Sequence, residues 1–129
     1  MATTDYGQAE IAAFSSAITS AGHVKFDEAA VREVVRLYDV IIAQLTTQQR
    51  EILKATQTEG FFGTLRSGQE LASGFSNKAQ EAYDTCSQFL QGIMRLQETY
   101  LRAAGLYEDA DQKNAAAVRI ATESMNNGQ

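Results

Sequence analysis

The sequence predicts an all-α protein built on an antiparallel helical hairpin that forms a four-helix bundle on dimerisation. Three observations carry that expectation. The chain has no proline in 129 residues. Its abundant Ala, Gln, Glu, Leu and Arg favour long uninterrupted helices. Apolar residues recur in steps of three and four over two long stretches, the spacing that lines one face of a helix. A chain of this length is one domain at most.

Residues 1 to 22 form an N-terminal extension rich in Ala, Ser and Thr, in which Ile11, Phe14 and Ile18 share one side of a short amphipathic helix. Residues 23 to 115 hold the hairpin. Asp27 is placed to cap the first long helix, with Glu28 adding favourable charge in its first turn, and Gly60 provides the stop. Between them Val31, Val34, Tyr38, Ile41, Leu45 and Ile52 keep a heptad-like spacing, widened by Val35 and Ile42. That is a helix of about 31 residues, roughly 46 Å long.

After a turn at Phe61-Phe62-Gly63 the second helix begins at Thr64 or at Ser67, where Ser67-x-x-Glu70 has the form of a capping box. Its seam is Ala72, Phe75, Ala79, Ala82, Cys86, Phe89, Ile93, Leu96, Tyr100, Ala103 and Tyr107, broadened by Tyr83 and Leu90. Gly68 and Gly74 weaken the early turns by about 1 kcal/mol each and mark a bend or a close helix contact. Counting outward from the turn sets Asp27 opposite Leu96. The stretch from Tyr100 to Asp111 then overhangs the first helix by roughly 20 Å, a gap for Ile11, Phe14 and Ile18 to cover. Residues 116 to 129 turn to Ala, Asn and Gln and read as a flexible tail.

Two helices bury only their facing sides, too little apolar area to offset the ordering of the chain. A partner hairpin is therefore expected, and the bundle core it shares is Val31, Val34, Tyr38, Ile41, Leu45 and Ile52 with Phe75, Cys86, Phe89, Ile93, Leu96 and Tyr100.

Charge and motif content exclude several function classes. The net charge of −5 and pI near 4.8 repel phosphate backbones, and no basic stripe offers a nucleic-acid surface. No apolar run approaches the ~20 residues of a membrane span. The first residues lack the basic start and apolar core of an ordinary signal peptide. His23, the only histidine, falls in a linker, so no Ser-His-Asp or Cys-His arrangement is expected. Cys86 lies on the apolar seam and reads as a buried structural thiol. Glu-x-x-His metal pairs, loops of EF-hand spacing and phosphate-binding glycine loops are all missing, so Glu108, Asp109 and Asp111 read as a solvated acidic face. Neither catalysis nor a cofactor or metal is expected.

Two short motifs remain, the turn Phe61-Phe62-Gly63 and Tyr107-x-x-x-Asp111 downstream. The second spacing recurs at Tyr6-x-x-x-Glu10, so its setting in a helix-turn-helix pattern gives it weight. Together these features, from about Val24 to about Ala115, resemble the W-x-G family of small helical hairpins exported by type VII (ESX) secretion systems of actinobacteria and their relatives. Phe61 stands where that family carries tryptophan, and Gly63 matches its glycine.

The resemblance implies a homodimer or a heterodimer with another such hairpin. It implies a secretion substrate, or an adaptor for a larger effector, read by a secretion ATPase. Tyr107 and Asp111 would then be the export signal, with Phe61 and Gly63 as the turn element. The protein would be made in the cytoplasm and reach the outside or the cell surface without a signal peptide. The alternative is an intracellular coiled-coil assembly protein with no export role.

Overall fold

The computed structural model describes residues 7–21, 26–57, 60 and 62–127, and these form helices and no strand. The helices are α1 Gln8–Ala21, α2 Glu28–Ala55, α3 Arg66–Ala103 and α4 Tyr107–Asn127. The all-α class expected from the sequence is therefore observed. His23, Tyr6 and Phe61, each singled out above, lie outside the described residues.

α2 opens as its sequence dictates, the Ala30 N–H donating to Asp27 Oδ2 at 2.9 Å. It closes at Thr56 instead of Gly60, because the Thr56 hydroxyl and N–H both turn back to the Leu53 carbonyl oxygen, at 2.6 and 3.1 Å. α3 starts at Arg66, ahead of the Ser67-x-x-Glu70 box, with Leu65 at its N-cap and no side-chain cap. The chain turns between Gly60 and Gly63, both at positive φ, with the Gly63 N–H donating to the Gly60 carbonyl at 3.3 Å.

α2 runs antiparallel along α3. The Gln49 side-chain amide donates to the Tyr83 carbonyl at 3.1 Å and to Ser87 Oγ at 2.6 Å, and that of Gln97 donates to the Val35 carbonyl at 3.0 Å. This register overturns the expected overhang. Thr56 already accepts from the Ser76 hydroxyl at 2.9 Å, so the first turns of α3 extend past the end of α2. The connecting segment runs back along those turns, and the Phe62 ring meets Phe75 at 6.2 Å between centroids. Gly68 is needed there, since a Cβ on it would collide with the Phe62 carbonyl oxygen. The gap expected at Tyr100 is closed at the other end of α2, where the Phe26 N–H donates to the Ala103 carbonyl at 3.3 Å. The Tyr100 ring sits beside Phe14 of α1 and Phe26, at 5.7 and 5.8 Å. α1 lies on α3 through Gln8, whose amide donates to the Gln88 carbonyl at 2.9 Å, and through Ile11 against Gly92.

The seam on α3 is met in part. Ala72, Ala79, Leu90 and Ala103 are buried as expected, but the chain also buries Met94, Gln97 and Leu101, each one residue beyond Ile93, Leu96 and Tyr100 and so about 100° further round the helix. Phe75, Phe89 and Ile41 are 50, 43 and 41% exposed, so they are not core within the chain. The reason is polar: Ser87 and Gln97 occupy the seam, and an apolar pattern does not see them. Ser87 Oγ accepts from Gln49, and Gln97 Nε2 donates to the Val35 carbonyl while its Oε1 is buried with no partner among the described residues.

α3 does not continue through Tyr107. Gly105 at φ +78° ends it in a Schellman arrangement, with Leu106 N–H donating to the Leu101 carbonyl at 2.8 Å and Gly105 N–H to that of Arg102 at 3.0 Å. Leu106 then joins Leu101, Val31, Val35 and Ala110 in the core. The chain folds back as α4, helical to Asn127 where a frayed tail was expected, and packs on α3 through small residues, Ala110 and Ala117 being buried.

Candidate functional site

Two surfaces follow from this packing. The first is the face of α2 and α3 opposite α4. Asp39, which points to α4, is two residues from both Leu37 and Ile41 and so about 200° round the helix from each. Val34, Leu37, Ile41, Leu45 and Ile52 therefore line the far side of α2. On α3, Arg95 and Arg102 reach α4, which places Phe75, Cys86, Phe89, Ile93 and Leu96 on that same far side. Leu37, Ile41, Phe75 and Phe89 are each 41% exposed or more, and the others are half-buried. Apolar side chains thus extend along the antiparallel pair from the Tyr100 ring cluster to Phe75. Cys86 sits half-buried within this face, and burial pushes its thiol above the ordinary range, which favours the protonated form.

The second surface is the corner between α3 and α4. Tyr107 is the first residue of α4 and is 61% exposed, off the seam where the periodicity placed it. Asp111 lies one turn on and is exposed as well, so ring and carboxylate share a strip of the helix. Asp111 is not merely solvated: Arg102 Nη2 reaches its Oδ1 at 2.9 Å and Glu98 Oε2 at 2.9 Å. The hydrogen bonds that the Arg102 guanidinium donates to Asp111 and Glu98 hold it above its ordinary range. Arg95 extends the row, touching Glu98 at 3.4 Å and bonding Asn114. Glu108 and Asp109 stand in the first turn of α4, where the helix dipole favours them, and Asp109 accepts from Arg32 at 3.1 Å.

Behind this corner a hydrogen-bonded chain, rooted in the core at Gln97 and reaching the surface at Asp39, joins three helices. Lys113 of α4 bonds Asp39 of α2 at 2.6 Å, and Asp39 accepts at 2.8 Å from Gln97 of α3, whose side chain is fully buried. Burial alone would raise the Asp39 carboxyl, but the hydrogen bonds from Lys113 and Gln97 outweigh it and hold the group below its ordinary range.

Tyr107, Asp111, Phe62 and Gly63 are not brought together within the chain: the turn flanks the start of α3 and the tyrosine follows its end. Sequence reasoning missed Arg102 and Glu98, although their i, i+4 spacing was visible, because only the fold-back at Gly105 brings Asp111 to them. Among the described residues no group of His, Cys, Asp and Glu is arranged to hold a metal, and no helix is long and apolar enough to cross a membrane. Comparison with known proteins found no matching family model, no matching curated protein and no matching solved structure.

Proposed function

We propose that this chain is a protein-recognition subunit of a type VII (ESX) secretion pathway, a substrate or an adaptor. It pairs through the open face of α2 and α3 with a second helical hairpin, its own copy or a related chain, to complete a four-helix bundle. It then presents Tyr107 and Asp111 to a secretion ATPase and leaves the cytoplasm without a signal peptide. The observation that carries the reading is the run of exposed apolar side chains, Leu37, Ile41, Phe75 and Phe89, on one side of the antiparallel pair. Contiguous apolar patches of this kind mark interaction sites, and the helical spacing suits the ridges of another amphipathic helix. The exposure of Tyr107 and Asp111 on one helical strip supports the recognition half of the proposal.

The test has two arms. Sedimentation of the purified chain, alone and with a related hairpin from its host, should show a dimer, and Ile41→Ser with Phe75→Ser should abolish it. Alkylation of Cys86 should slow as the dimer forms; a stable monomer with a concentration-independent Cys86 rate rules the pairing out. In the second arm, Tyr107→Ala should remove the protein from the culture medium of its host without changing association. Normal export of that variant would remove Tyr107 from the signal, whereas a wild-type chain that never reaches the medium would favour the intracellular assembly reading, which uses the same apolar face.

A further inference from the structure

We propose that the recognition element at the end of α3 is a folded corner in which Arg102 belongs with Tyr107 and Asp111, so that a partner reads groups from both helices and not a linear segment. This rests on the export reading given above. Arg102 projects from the last turn of α3, and its guanidinium lies between Glu98 of its own helix and Asp111 of α4, 2.9 Å from each. Glu98 is the more buried anchor, its side chain 17% exposed against 71% for Asp111. The guanidinium is therefore fixed from behind and holds out the exposed carboxylate.

An exposed ion pair of this kind contributes little to folding. What it fixes is orientation, because two side chains that would otherwise sample several rotamers enter any complex already ordered. The backbone adds to this. The Gly105 turn is closed by two hydrogen bonds, and Ala110 is buried beneath the strip, so Tyr107 and Asp111 stand at a set position relative to α3. As a free peptide the same residues would be the first turn of a helix, the part that frays.

The partner this corner fits is a protein surface with an apolar slot for the Tyr107 ring. Beside the slot it carries donors for Asp111 and an acceptor for Arg102, arranged for a carboxylate and guanidinium side by side. Arg102 is a positioning residue that also shows part of its own charge, being 38% exposed.

The experiment uses the full chain in its own host, with the ratio of protein in the medium to protein in the cells as readout and melting temperature as control. The variants are Arg102→Gln, Tyr107→Ala, and the swap Arg102→Glu with Asp111→Arg, which keeps an ion pair across the corner but reverses what it displays. The swap also sets a carboxylate one turn from Glu98, so it should melt a few degrees below the wild type. Its export should fall by about tenfold or more, the scale of one lost charge-assisted hydrogen bond, and Arg102→Gln should do the same. If Tyr107→Ala blocks export while Arg102→Gln and the swap are exported normally, Arg102 has no part and the signal is linear. If Tyr107→Ala is also exported normally, the corner is not the signal and this proposal fails; if the wild type never reaches the medium, the export reading itself fails and this one with it. A swap that unfolds the chain leaves Arg102→Gln to decide by the same ratio.

Discussion

Lys113 on α4 donates to Oδ1 of Asp39 on α2 at 2.6 Å, and the same oxygen accepts from Gln97 of α3 at 2.8 Å. One carboxylate oxygen thus ties together three helices, and α2 and α4 meet there through side chains over the body of α3. Its protonation should loosen α4. The folded-state Asp39 carboxyl is held below its ordinary value of 3.8, so its stabilising contribution is complete above that value and disappears as pH falls through the lower folded one. The group is partly exposed, which limits the effect to about 1 kcal/mol or less. Protection factors across α4, taken relative to the intrinsic exchange rate at each pH, should therefore fall on acidification below about pH 4, and in Asp39→Asn that step should be smaller.

Gln97 is a fully buried polar residue of the core. Its amide satisfies Asp39 and the Val35 carbonyl from a fully buried position. Gln97→Ala should cost about 2 to 4 kcal/mol in urea unfolding, combining the cavity with the lost bonds. A cycle with Asp39→Asn should reveal coupling, because the two share one hydrogen bond.

At Gly105 the cost is conformational alone. Its φ of +78° lies in the left-handed region, and a Cβ there would meet nothing within 4 Å. Gly105→Ala should destabilise by about 1 to 2 kcal/mol. Gly105→Asn should cost less, because asparagine tolerates that region.

Gly68 and Gly74 both sit inside α3 and should respond oppositely to the same change. A Cβ at Gly74 enters open space, so Gly74→Ala should stabilise by about 0.5 to 1 kcal/mol. Gly68→Ala must push the Phe62 carbonyl away, and it should destabilise or disengage the Phe62–Phe75 contact. Thermal melts of the two variants check both signs.

By itself the sequence determined the helical class, the start of α2 at Asp27 and the two amphipathic stretches. These depend on neighbours within a turn or two: a capping side chain, an unbroken run without proline, apolar residues three and four apart. It did not determine which α3 stripe meets α2. The apolar count favoured Phe75, Phe89 and Ile93 and took Leu90 only as a broadening of that seam, but the helices pack through Ser87 and Gln97 beside it, since a glutamine becomes a core residue only when Asp39 and the Val35 carbonyl are there to receive it. The break at Gly105 was visible as a glycine, yet its force comes from Leu106 closing over Leu101, Val31 and Ala110. The candidate corner followed from that fold-back. Tyr107 and Asp111 were legible as a spacing and Glu98 and Arg102 as an i, i+4 pair, whereas Arg102 came to face Asp111 only when α4 returned along α3, because groups on different helices become partners through tertiary packing alone.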